Sequence, residues 1–83
     1  MYYVDILKSL KNGRHYIGCT SNLENRLKEH NNGETRGNRC YRPFEIAYKE
    51  EFSSLVEARR RERFIKAQKS RRFIEDLINR GVA

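Results

Sequence analysis

Residues 2–18, YYVDILKSLKNGRHYIG, decide how this chain folds. Tyr2 to Lys8 alternates and is rich in β-formers, Lys11-Asn12-Gly13 interrupts, and Arg14-His15-Tyr16-Ile17-Gly18 resumes an extended pattern. Asn-Gly between two such runs is a strong hairpin signal, because both residues tolerate the positive φ of a type I′ turn. The reading predicts two antiparallel neighbouring strands.

Working outward, Ser21-Asn22-Leu23-Glu24 has the S-x-x-E form of a capping box, which predicts a helix of about ten residues after it. The helix should stop near Asn31-Asn32-Gly33, where glycine supplies a left-handed C-terminal residue. Gly33 to Pro43 carries two glycines and three arginines, Arg36, Arg39 and Arg42, with little apolar content, and is predicted to be a mobile basic loop. Phe44-Glu45-Ile46-Ala47-Tyr48 alternates, so a third strand should carry Phe44, Ile46 and Tyr48 on one face. Ser54-Leu55-Val56-Glu57 is a second capping box, opening a helix to about Gln68. Ser70 should cap a last helix, Arg71 to Asn79, in which Phe73, Ile74, Leu77 and Ile78 recur at helical spacing. The order is β-β-α-β-α-α, an α+β domain with a three-stranded antiparallel sheet flanked by three helices.

With 83 residues the chain has room for one domain, residues 1–83. Its core must be thin, since 37% of residues are apolar and tryptophan is absent. Eighteen Lys plus Arg against eleven Asp plus Glu give a formal charge of +7, and on so small a body that favours polyanionic partners. No apolar run approaches the roughly 18 residues of a membrane helix and the first residues do not read as a leader, so the expectation is a cytoplasmic protein without a membrane partner. Cys19 and Cys40 show neither CxxC spacing nor a histidine arrangement suited to zinc, and read as reduced thiols.

Polar residues fall in apolar places. At about 100° per residue, Leu23 and Leu27 define the inner stripe of the first helix, and Arg26 and His30 lie within that arc, one turn apart. Arg26 could simply pair with a buried carboxylate, and His30 could be a C-terminal histidine favoured by the helix dipole. In the second helix Leu55, Ala58 and Ile65 mark the inner face and Glu62 projects from the middle of it. An unpaired charge there costs several kcal/mol, so Glu62 must meet a cation, either a side chain such as Arg26 or a metal. Its neighbours Arg59, Arg60, Arg61, Arg63 and Lys66 read as a solvated face. Together with Tyr16, these inward groups are what phosphodiester hydrolysis requires: a cation-holding carboxylate, a fixed positive charge and a proton acceptor.

The same pieces, in order, resemble a GIY-YIG domain from Tyr3 to Asn79, most similar to the short stand-alone bacterial members. They are Tyr3-Val4-Asp5-Ile6-Leu7 for the first motif, Tyr16-Ile17-Gly18-Cys19-Thr20 for the second, and Leu23 to Asn31 for the helix. Arg42-Pro43-Phe44-Glu45-Ile46 leads into the third strand, and Glu57-Ala58-Arg59-Arg60-Arg61-Glu62 with Lys66 completes the set. The resemblance implies metal-dependent cleavage of DNA, as in homing endonucleases, some restriction enzymes and an excision-repair nuclease subunit. It implies that Glu62 binds one Mg²⁺ or Mn²⁺, weakly without substrate. It further implies that Arg26 stabilises the scissile phosphate, that Tyr16 orients or deprotonates the attacking water, and that His30 assists. The chain departs from the pattern at Asp5, which stands where the first motif closes with a tyrosine. Tyr3 shares a face with Asp5 but is displaced by one pleat, about 7 Å.

Two functions follow as expectations. One is a metal-dependent DNA endonuclease, structure-selective or impaired at Asp5; the other is a non-catalytic nucleic-acid-binding module on the same scaffold. Arg36, Arg39, Arg42, Lys66, Lys69, Arg71 and Arg72 are the expected backbone contacts. RNA stays open beside DNA, a protein partner stays open too, and no small-molecule cofactor is expected.

Overall fold

The computed structural model describes residues 1–34, 37 and 39–81. Its elements are β1 (Tyr2–Ser9), β2 (His15–Thr20), α1 (Leu23–Asn31), a 3-10 turn (Arg39–Tyr41), β3 (Phe44–Phe52), α2 (Leu55–Ala67) and α3 (Arg71–Gly81). The sheet is antiparallel with order β2-β1-β3. Element order and architecture match those read from the sequence.

The hairpin forms, but not through a type I′ turn. The Ser9 amide donates to Arg14 O at 2.8 Å and the Gly13 amide to Ser9 O at 2.9 Å, so the loop is Leu10–Gly13. Gly13 alone adopts positive φ, at 77°, whereas Asn12 does not. The cause is Ser9, whose Oγ accepts from the amides of Lys11 and Asn12 at 3.1 and 3.2 Å, offering the backbone an alternative to the two-residue turn. The same hydroxyl donates to Tyr41 O at 2.6 Å, Lys11 Nζ donates to Cys40 O at 3.1 Å, and the Leu10 amide donates to Pro43 O at 2.8 Å. Residues 39–43, read as part of a mobile loop, are thus tied to the hairpin.

Register decides which residues share a face. On β1, Asp5 lies opposite Gly18 and Leu7 opposite Tyr16. Ile6 pairs with Tyr48 but Leu7 with Ile46, leaving Ala47 as a bulge. Ile46 and Phe44 therefore stay on the Asp5 face while Tyr48 moves to the other, correcting the single-faced strand read from alternation. That second face, with Val4 and Ile6 at its centre, receives Ala58 and Ile65 of α2 and Leu77 of α3, and Tyr48, Phe52, Ile74 and Ile78 close the cluster. Leu55, expected on this inner face, is 38% exposed because it opens α2 ahead of the first core residue, Ala58.

The helix ends follow local chemistry. Asn22, not Ser21, caps α1, its side chain accepting from the Asn25 amide at 2.9 Å, with Ser21 one position outside. Ser54 and Ser70 cap α2 and α3 as read, accepting from the Glu57 and Phe73 amides at 3.2 and 3.1 Å. Gly33 ends α1 with φ 78°.

Candidate active site

The site begins with a short connection. Thr20 Oγ1 accepts from the Asn22 amide and donates to Asn22 O, each at 3.1 Å, which turns the chain from β2 into α1 within two residues. One turn into α1, Arg26 returns over the sheet, and its Nε donates to Asp5 Oδ1 at 2.8 Å. Asp5 is fully buried on the central strand, and the Arg26 side chain is 18% exposed. Gly18, opposite Asp5, makes room: a Cβ there would stand 2.2 Å from Arg26 Nη2 and 2.4 Å from its Cζ. The motif glycine is thus the seat of the guanidinium, a role the sequence reading did not assign.

Burial pushes the Asp5 carboxyl above its ordinary value, and the Arg26 hydrogen bond and charge pull it back only in part. Glu62 adds to the rise, so its carboxylate lies within electrostatic reach of Asp5. Asp5 Oδ2 is buried without a hydrogen-bond partner among the described residues, a costly state for a carboxylate oxygen.

His30, one turn beyond Arg26, is buried. Its Nδ1 lies 3.0 Å from Arg26 O, and a carbonyl can only accept, so Nδ1 carries a proton and Nε2 is the ring nitrogen left outside that bond. The Phe44 ring stands edge-to-face against both His30 and Tyr16, at 5.7 and 5.5 Å between centroids. Asn31 locks this arrangement, its Oδ1 accepting from the Phe44 amide at 2.6 Å and its Nδ2 donating to Phe44 O at 3.2 Å. Neither Phe44 nor Asn31 was singled out for the site beforehand, because their roles depend on pairing across 13 residues of chain.

On α2, Glu62 pairs with Lys66 at 2.8 Å rather than with Arg26. Its side chain is 18% exposed, and it raises the Cys19 thiol pKa together with burial, the larger cause. Arg61, read as solvated, instead donates from Nε and Nη2 to the Glu50 carboxylate at 2.9 and 3.0 Å, and the Tyr48 hydroxyl binds the same carboxylate. That network staples α2 to β3 and so fixes the next residue, Glu62. Among the described residues no group of three or more His, Cys, Asp or Glu could hold a metal. Glu62 is a hard oxygen donor of the kind a divalent cation takes, and such a cation would complete its shell there with water and phosphate oxygens.

The expected nucleic-acid contacts divide. Arg39, Arg42, Lys69, Arg71 and Arg72 are exposed, and Arg36 lies outside the described residues. Arg42 packs against Gly33 at the end of α1, where a Cβ would meet its Nη1. Lys66 is held by Glu62 and Arg71 by Glu75, each an i,i+4 pair. Arg14, which the sequence reading passed over, places its guanidinium carbon 5.3 Å from the centre of the Tyr41 ring. A groove of about 760 Å³, lined by Tyr3, Asn22, Leu23 and Lys49 among others, touches none of Tyr16, Arg26, His30 and Glu62, so its size does not mark the chemistry. Among the described residues no helix is long and apolar enough to cross a membrane.

Comparison with known proteins agrees with this geometry. Residues 1–75 match the GIY-YIG catalytic domain. The UPF0213 protein CPE1444 of Clostridium perfringens is 46% identical over 70 residues, covering 80% of this chain and 71% of that one. The UPF0213 protein SSP2268 of Staphylococcus saprophyticus is 34% identical and covers 96% of each. The solution structure of the UPF0213 protein BH0048 from Bacillus halodurans superposes with a TM-score of 0.58 at 36% identity, over 95% of this chain and 84% of that one. With its sheet order, its arginine seated on the motif glycine and a match over nearly its full length, the chain belongs to the GIY-YIG catalytic domain family.

Proposed function

We propose that this protein is a metal-dependent, structure-selective endonuclease that hydrolyses phosphodiester bonds in DNA, acting in the cytoplasm. The observation that carries this reading is the Arg26 guanidinium, held over the sheet at Gly18, with His30 buried one turn further along the same helix.

Arg26 binds a non-bridging oxygen of the scissile phosphate and offsets the charge that grows in the transition state. Tyr16 orients the attacking water, and the free Nε2 of His30 accepts a proton from that hydrogen-bonded chain. Water oxygen bonds to phosphorus as its proton passes to His30 Nε2, the P–O bond to the leaving sugar oxygen breaks, and that oxygen takes up a proton from solvent water. Glu62, once exchanged from Lys66, holds Mg²⁺ or Mn²⁺, which supplies Lewis-acid stabilisation when bound. Asp5 sets the pace: Arg26 already has an anionic partner at 2.8 Å, so a phosphate must share or displace it.

That ion pair also supports a second reading, a non-catalytic nucleic-acid-binding module in which Asp5 keeps the phosphate position closed. Labelled flaps, gaps and single strands incubated with Mg²⁺ or Mn²⁺ separate the two. Cleavage by the natural protein, lost in Glu62→Ala and faster in Asp5→Tyr, supports the enzyme. No cleavage above the Glu62→Ala background, with DNA binding retained, supports the module.

A further inference from the structure

Where β2 leaves the hairpin, it faces the corner between α2 and α3 across a groove of about 370 Å³. Its walls are Arg14 and Tyr16 on one side and Lys69, Arg71 and Ile74 on the other. Tyr16 lines this groove and also stands edge-to-face against Phe44, whose ring meets His30 in the same way. We propose that this groove is a binding site for the phosphate backbone of a nucleic acid, carrying the strand away from the scissile position past Tyr16.

Three cations line the groove, and among the described residues no Asp or Glu does. Arg14 and Lys69 make no ion pair among the described residues, whereas Arg71 is engaged by Glu75 at 2.9 Å. Arg14 is held against the Tyr41 ring, its guanidinium carbon 5.3 Å from the ring centre, and an exposed arginine so placed keeps its charge. Lys69 has φ 48°, and it is the non-glycine residue with positive φ among the described residues. Glycine or asparagine would sit there at lower cost. A lysine at that position is a conformational disadvantage that an ammonium needed in the groove explains. Arg71 leans towards the hairpin, with Nη2 3.9 Å from where a Gly13 Cβ would stand. Two cations without an ion pair, a third shared with Glu75, and Tyr16 beside them suit the phosphates of a nucleic-acid strand.

The proposal rests on the nuclease-site reading only for its direction along the strand, and binding tests it apart from catalysis. A fluorescein-labelled oligonucleotide duplex is titrated by anisotropy in EDTA, from about 50 to about 300 mM salt, so that no cleavage occurs. Arg14→Gln and Lys69→Gln are each expected to weaken binding by roughly five- to eightfold at 0.1 M salt and to flatten the salt slope by about one unit. Arg63→Gln, on the exposed side of α2, removes the same charge and should change neither by as much. Lys69→Gly is the decisive variant: relief of the backbone should raise its Tm while binding falls. Wild-type affinity and slope in both groove variants, or losses equal to that of Arg63→Gln, overturn the proposal. A chain that binds this way yet never cleaves DNA would refute the nuclease reading and leave the groove standing.

Discussion

Removing the guanidinium of Arg26 should be among the most damaging single changes available to this protein. Asp5 is fully buried, its Oδ1 has Arg26 as its side-chain partner at 2.8 Å, and its Oδ2 has none among the described residues. Arg26→Ala therefore strands a carboxylate in the sheet, at a cost of about 3–5 kcal/mol. At about 4–8 °C per kcal/mol for a domain of this size, Tm falls by roughly 12–40 °C. The sign of the pH dependence follows from Asp5, whose folded pKa is raised, chiefly by burial. A carboxyl of that kind contributes stability fully below its unfolded value of 3.8, and loses it as pH rises through the folded value. Without Arg26 the folded pKa rises further, so the penalty of the variant should shrink as the medium is acidified. Asp5→Asn should be close to neutral or stabilising, since it removes the poorly solvated charge and leaves the partly exposed Arg26 able to reach water. The double variant should recover most of the loss. Urea unfolding followed by far-UV circular dichroism at pH 7 and pH 4.5 measures all four proteins. A loss below about 1 kcal/mol in Arg26→Ala at pH 7, the range of an exposed pair, or one not relieved by Asp5→Asn, would refute the buried-pair account.

Two further substitutions probe the scaffold around that pair. Gly18→Ala places a methyl 2.2 Å from Arg26 Nη2, so the guanidinium must leave its seat. Thermal denaturation should report a loss of about 1–3 kcal/mol, and cleavage should fall with it. Asn31→Ala removes both hydrogen bonds to the Phe44 backbone and should cost about 1–3 kcal/mol, while loosening Tyr16 and His30 enough to broaden their ring resonances in NMR spectra. Unbroadened rings in that variant would show that Phe44 is held by packing alone.

The sequence by itself determined the order of elements, because hydrophobic periods of two and of 3.6 residues, caps at Ser54 and Ser70, and a terminating Gly33 are local signals that the fold does not contradict. It also singled out Arg26, His30 and Glu62, since a charge inside an apolar stripe is visible without coordinates. What tertiary structure alone decided is who meets whom. Alternation along β3 put Tyr48 beside Ile46, and only pairing with β1 introduced the Ala47 bulge that separates them. The Asn12-Gly13 signal was overridden by a hydroxyl at Ser9 that also reaches Tyr41, 32 residues away. Above all, the sequence left Arg26 a choice of carboxylates, and strand register made it: Asp5 stands opposite the one residue without a side chain, so the guanidinium settles there and Glu62 turns to Lys66. Charge pairing is decided by distances between segments far apart in sequence, which no local pattern encodes.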